Sequence, residues 1–344
     1  MTHTSPTPIF DGHNDLLLHL WLHHPENPAA AFLHQRLSGH LDLARMREGG
    51  FAGGLFAVFV PPADYVAKFP TRQAEVHDPL AITEQQMAIL QQLETQSAGQ
   101  AKICRSVSEI EHCIASGVLA MVMHIEGAEA LDDDLSQLDR WQQAGLRSIG
   151  PFWNLPNRFG VGINGSFPGS PDTGAGLTDA GERLIRACNQ RGLMIDLSHM
   201  NEKAFWQTAR LSTAPLVASH SNVHALCPQP RNLTDAQLAA IADSDGLVGL
   251  NFGTSFLRSD GKRDGDMPLS VMVQHLDYLL EKLGEDRVAF GSDFDGINLA
   301  DDLGDVTGLP RLLAALRQSG YDDALLNKLC RANWLRVLRK TWKE

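Results

Sequence analysis

Several things are scarce in this chain of 344 residues, and each scarcity narrows what the protein can do. Lys and Arg together number 29 against 41 Asp and Glu, a formal net charge of -12, and no stretch is rich in basic residues. Nucleic acid and anionic membrane surfaces are therefore poor partners, and small molecules or peptides fit better. No apolar run approaches the length that spans a bilayer, and the opening "MTHTSPTPIF" has neither the basic start nor the apolar core of an export signal. The five cysteines (Cys104, Cys113, Cys188, Cys227, Cys330) are odd in number, widely spaced and without a CxxC pair. Reduced thiols fit that spacing better than a disulfide framework, so a cytoplasmic location is expected. No GxSxG elbow surrounds a serine and no glycine fingerprint follows the first apolar run, which argues against a serine nucleophile and against a dinucleotide.

What is present is an alternation. Apolar, β-branched runs fall near residues 8–14, 52–60, 118–125, 146–152, 193–198, 214–219, 247–252 and 287–292. Between most of them lie helix-period stretches such as "PLAITEQQMAILQQLETQ", "TDAGERLIRACNQRG" and "LSVMVQHLDYLLEKLG". Several open with Ser, Thr or Asp and close with Gly, as helix caps require. Eight such units predict a closed parallel (β/α)8 TIM-type barrel spanning residues 1–344 as a single domain, with an open doubly wound sheet as the alternative. The longest segment without periodicity, "NRFGVGINGSFPGSPDTGAG" from Asn157 to Gly176, makes an extended loop after the fourth strand, on the face where barrel active sites lie.

The strand ends carry the chemistry. "IFDGHNDLLL" places His13 and Asp15 two positions apart, so that both project from one face of the first strand. The third run ends at Glu126, the fifth ("LMIDLSH") at His199, the sixth ("APLVASH") at His220 and the eighth ("VAFGSDFDG") at Asp293. Any one of these alone reads as a cap or a loop residue. A closed barrel, however, gathers all strand ends on one rim, which predicts a single pocket of three histidines and three carboxylates. Imidazole with carboxylate is zinc ligand chemistry, and a pair of ions needs a carboxylate that reaches both. His13 and Asp15 are expected on one ion, His199 and His220 on the other, Glu126 between them, and Asp293 where it can take a proton from water. Amide hydrolysis is the reaction this arrangement suits. Asp196, inside the fifth run, is expected to orient a ligand histidine, and Asp295 shares a face with Asp293 and could take its role. His23, His24, His34, His40 and His77 lie away from the strand ends and are expected in exposed or entrance segments.

The motifs "DGHNDL", "IEGAEAL", "DLSH", "SHSNVHALCPQPRNLTD", "GSDFDG" and "ANWLRVL" run in order from Asp11 to about Leu338. Together they resemble the membrane (renal) dipeptidase family of zinc peptidases, within the amidohydrolase superfamily of barrels. The resemblance implies a dipeptidase with two Zn²⁺ ions, one held by His13, Asp15 and Glu126 and the other by Glu126, His199 and His220. A metal-bridging hydroxide would attack the peptide bond of a dipeptide, C-terminal D-residues included. It further implies that Asp293 handles the proton and meets the substrate's free amine, and that Arg231 in "PRNLTD" pairs with the terminal carboxylate, a task suited to a planar bidentate donor. Family members are often homodimers, though no interface signature is visible in this sequence.

There is one departure from the family pattern. Where the family usually offers a histidine for the oxyanion after the fourth strand, this chain has Trp153, whose indole can donate one hydrogen bond but cannot become a cation. Trp153 is expected at the substrate, as a wall for its side chains. His124, two residues before Glu126 on the same strand face, is expected to point into the pocket and compensate; the alternative is a buried histidine bonded within the barrel. Two other functions stay open on the sequence: a zinc amidohydrolase for N-acyl amino acids or cyclic amides, and a catalytically silent metal barrel.

Overall fold

The computed structural model describes residues 7–72 and 77–344. Residues 1–6, the start of the segment read for an export signal, lie outside the described residues. Among the described residues nine parallel strands follow one another: β1 (Ile9–Asn14), β2 (Phe51–Phe59), β3 (Ala101–Ile103), β4 (Leu119–Glu126), β5 (Leu146–Gly150), β6 (Met194–Ile195), β7 (Val217–Ala218), β8 (Leu247–Leu250) and β9 (Val288–Phe290). They pair in the orders β1-β2-β4-β5-β6 and β7-β8-β9, with β3 added beside the start of β4. Parallel bridges between Asp196 and Val217 and between Asn14 and Phe294 join the two sheets at both seams. Across those seams the Leu197 amide donates to Val217 at 2.9 Å and the Asp15 amide to Phe294 at 2.8 Å. The ring is thereby closed as the expected TIM-type barrel, and only the three-residue β3 was not anticipated.

Helices cover the outside of the ring, which is why strands such as β1 and β4 are buried along their whole length. The helical periods resolve into Pro79–Gln96, Asp179–Arg191, Asp235–Asp243 and Leu269–Leu283, among others. Their caps follow the sequence: Thr178 accepts from the Gly181 amide, and Thr234 and Gln237 form a reciprocal capping box. Phe10, Leu55, Val122, Met194, Val217 and Leu247, from six different strands, pack in one buried cluster with Trp334 of the helix Asn333–Trp342. The polar strand-end residues lie at the opposite, carboxyl rim.

Two strands are much shorter than their apolar runs. β6 and β7 stop after two residues each because side chains take over the hydrogen bonds of the ladder. Asp196 Oδ1 accepts from the amides of Ser198 and Ser219 at 3.1 and 2.8 Å, and Ser198 Oγ accepts from the His220 amide at 3.0 Å. The chain is thus free to turn His199 and His220 inward. The long loop 157–176 is tied down over the rim: the Ile163 amide bonds His199 O at 2.9 Å, the Gly169 amide bonds Pro228 O at 2.9 Å, and Asn201 Nδ2 bonds Ala175 O at 2.6 Å. All five cysteines are buried and none forms a disulfide. Among the described residues no helix is long and apolar enough to cross a membrane.

Candidate metal centre

Each rim residue arrives on its own element. His13 sits near the end of β1, whose register against β2 shifts between Asp11 and Asn14; irregularities of this kind re-aim side chains next to active sites. Asp15 occupies the N-cap of the helix Leu16–His23 but makes no capping bond, so its carboxylate is left for the pocket. Glu126 is the last residue of β4, His199 and His220 follow β6 and β7, and Asp293 follows β9. All six are buried.

Glu126 divides its carboxylate between two groups. Its Oε2 lies 3.6 Å from His13 Nε2, which is itself 3.5 Å from Asp15 Oδ2 and 3.9 Å from Asp293 Oδ1. Its Oε1 lies 2.8 Å from His199 Nε2 and 3.5 Å from His220 Nε2. His13, Asp15 and Glu126 therefore form one cluster able to hold a cation, and Glu126, His199 and His220 a second. Gly296 makes room for this packing: a Cβ there would sit 2.2 Å from Asp15 Oδ2 and 2.5 Å from Asp293 Oδ1.

The donor set fits a metal. Asn154 Oδ1 accepts from His199 Nδ1 at 3.0 Å. His220 Nδ1 donates to Ser219 Oγ at 2.7 Å, whose own proton goes to Asp196. Both tautomers are thereby fixed with the Nε2 lone pair turned inward, and the two lone pairs face each other at 3.1 Å. Without a cation between them they repel. Neither nitrogen of His13 makes a hydrogen bond. A buried polar atom left unpaired costs about 1–3 kcal/mol, so the cage is a stability deficit that a bound ion would offset.

The electrostatics agree. Burial holds His199 and His220 well below the ordinary imidazole range, helped by the Arg231 guanidinium, so both are neutral ligands. Burial also opposes charge on His13, but Glu126, Asp15 and Asp293 outweigh it and raise the imidazole to about 10. The acidic side of the cage thus demands positive charge. Asp293 is pushed well above the usual carboxylate range by burial, with Asp15 and Glu126 adding to the rise against the His13 charge. Its Oδ2 is held by Asn251 Nδ2 at 2.8 Å, and its Oδ1 turns to the cage.

Above the cage opens a cavity of about 810 Å³, lined by Asp15, Glu126, His199, Asp293, Arg231 and Trp153 among others, and roofed by Ile163, Asn164 and Phe167 of the long loop. Arg231 is buried; burial lowers it to about 10, which leaves it charged at neutral pH. It is held by Ser221 Oγ at 2.7 Å and His220 O at 2.8 Å, and its Nε has no partner. Trp153 packs with Phe59 at 5.2 Å between ring centroids and forms an aromatic wall near His199. His124 departs from expectation. It has no exposed surface, its Nδ1 pairs with Ser148 Oγ at 2.8 Å, and it is absent from the cavity lining because it lies within the barrel against Asp196 and His13.

Sequence reading found Asp196 but missed the groups through which it acts, Ser198 and Ser219, and also Asn154 and Asn251. Nothing in the local sequence of Asn154 or Asn251 marks a residue that bonds a site group more than 40 positions away. Asp11 had a signal, its place in "FDGHND": its carboxylate accepts from the Ser292 amide at 2.6 Å and from Ser292 Oγ at 2.7 Å, and so ties β1 to the loop that carries Asp293.

A closed parallel barrel with a buried imidazole–carboxylate cage on its carboxyl rim defines a metal-dependent hydrolase of the amidohydrolase type. The family model for membrane dipeptidases (peptidase family M19) matches residues 3–343, and the chain belongs to that family of metal-dependent dipeptidases. It is similar, at 48% identity and a TM-score of 0.93, to a metallo peptidase from Rhodobacter sphaeroides liganded with a phosphinate mimic of the dipeptide L-Ala-D-Ala; the match covers 98% of this chain and 100% of the other. A probable dipeptidase PvdM from Pseudomonas aeruginosa is 26% identical with a TM-score of 0.83, over 98% of this chain and 96% of its own. An uncharacterized protein in the pqqA 5′ region of Klebsiella pneumoniae is 61% identical over 267 residues, 78% of this chain and 98% of that protein.

Proposed function

We propose that the protein is a binuclear zinc dipeptidase whose substrates include dipeptides with a C-terminal D-residue. The observation that carries this reading is the division of the Glu126 carboxylate, one oxygen toward His13 and the other toward His199 and His220. One zinc would be held by His13, Asp15 and Glu126, the second by Glu126, His199 and His220. Bound there, the ions would supply Lewis-acid polarisation of the scissile carbonyl and a lowered pKa for the attacking water.

The chain's own residues do the rest. Arg231 uses one hydrogen of each terminal nitrogen on the protein and has others free, so it can take the dipeptide's carboxylate. Asp293, fixed by Asn251, accepts a proton at Oδ1 and returns it to the leaving amine, and its charge attracts the substrate's free amine. Trp153 and Phe59 wall the side-chain space. The similarity to a protein that binds a mimic of L-Ala-D-Ala supports the D-residue. The test is a dipeptide panel with both stereoisomers at the C-terminal residue, run on the zinc-loaded enzyme and after chelation. Chelation should abolish hydrolysis and zinc restore it, with two zinc per chain at full activity. Acylating the substrate's amine should also abolish it; turnover of N-acyl amino acids instead would assign the rival amidohydrolase activity.

A further inference from the structure

The loop that presents Asp293 has an unfavourable backbone. Asp293 and Asp295, on either side of Phe294, both adopt left-handed φ, +61° and +70°, a region that residues other than glycine avoid. Such a conformation persists only where the surroundings over-determine it. Part of the hold comes from β1: the Asp293 amide donates to His13 O at 2.9 Å, and Ser292 is bound by Asp11. Beyond Phe294 the hold comes from a segment that contributes nothing to the barrel.

That segment is the stretch around His40. The His40 amide donates to Asp295 Oδ1 at 2.5 Å, and the Asp295 amide donates to His40 Nδ1 at 2.9 Å, closing a two-bond ring. The Asp295 side chain has no exposed surface, so water cannot replace the contact from outside. Gly39 permits the approach: a Cβ there would lie 2.3 Å from Asp295 Oδ1. The segment is itself anchored by the buried Arg45, which binds Asp42 at 2.6 Å, Leu37 O at 3.0 Å and Asp305 at 2.8 Å. Asp295 Oδ1 is thus engaged by His40, while its Oδ2 makes no hydrogen bond.

We propose that His40 and Asp295 are positioning residues for peptide-bond hydrolysis: their clasp fixes residues 292–296 and so aims the Asp293 carboxylate at the cage. The inference rests on the reading of Asp293 as the proton carrier. Losing the clasp leaves the Asp293 charge in place but spoils its aim. Attraction of the substrate's amine tolerates that; proton transfer does not.

The experiment compares His40→Leu, His40→Asn, Gly39→Ala and Asp293→Asn as zinc-loaded enzymes on a dipeptide that the wild type hydrolyses, with zinc content and melting temperature measured for each. His40→Leu and Gly39→Ala should lower kcat about tenfold or more while KM moves by less than about threefold and zinc content stays at the wild-type value. His40→Asn should recover most of kcat, because its Oδ1 can accept from the Asp295 amide where Nδ1 did. The inference is overturned if His40→Leu and Gly39→Ala turn over like the wild type, or if His40→Asn is no better than His40→Leu at equal zinc content. If His40→Leu does not fold, Gly39→Ala and His40→Asn decide. Asp293→Asn separates the two claims: full activity in that variant defeats the role of Asp293 itself, whereas an inactive Asp293→Asn beside an unimpaired His40→Leu defeats only the clasp.

Discussion

The two sides of the cage are built differently. On one side His199 and His220 each have their Nδ1 tied to a polar partner, Asn154 and Ser219, and both rings are kept neutral. On the other side His13 has no hydrogen-bond partner at either nitrogen and is surrounded by carboxylates. Packing holds it instead: its ring stacks on that of His220 at 3.8 Å and meets His124 edge-on at 5.5 Å. One side is thus an oriented pair of neutral ligands, and the other a negatively charged slot. The first sets direction and the second supplies the attraction that draws in a dication.

Breaking both sides at once should have the largest effect. Glu126→Gln removes the shared charge, and kcat/KM should fall roughly a thousandfold or more with loss of bound zinc, read by metal analysis beside a dipeptide assay. Asp293→Asn should spare the metal and act on the chemistry alone, lowering kcat about a hundredfold or more. The comparison sharpens with Ser219→Ala and Asn154→Ala, which strip the orienting partners from one side only. Each should weaken binding of one zinc of the two by about tenfold to a hundredfold, as competition with a chelator would measure. A variant that weakened both ions equally would mean that the two sides are not independent.

The smallest effect is on pH dependence. In the metal-free chain His13 is raised to about 10, so at neutral pH it carries a proton that an incoming ion must displace. Apparent zinc affinity on that side should rise with pH, about tenfold per unit at most, between pH 6 and 8. His199 and His220, already neutral there, should bind with little change over the same interval. Titrations of the metal-free protein at several pH values would separate the two behaviours.

The strand ends were legible because a barrel converts a one-dimensional pattern, a metal-binding residue after an apolar run, into a shared location. His13, Asp15, Glu126, His199, His220 and Asp293 could all be placed together that way. β3 was missed because three residues give no period to detect. The orienting groups Asn154 and Asn251 were missed because each bonds a residue more than 40 positions away, and Ser219, although it adjoins His220, because its role depends on the distant Asp196 that takes its proton. His124 sits on the expected strand, but whether a buried side chain ends beneath the cage or in the cavity depends on its neighbours, here Ser148 and Asp196. The His40 clasp was illegible too, since the segment was read only as an entrance region and its partner lies 255 residues away.

The seam between β1 and the stretch after β9 sets the timetable of the molecule. Asp11 and Ser292, Asn14 and Phe294, and Asp15 and Gly296 meet only when the last strand docks against the first. A nascent chain therefore presents His13 and Asp15 early but cannot complete the pocket until nearly all of it has left the ribosome. Fragments released before the eighth repeat would carry both ligand sets but lack Asp293, and should cleave nothing.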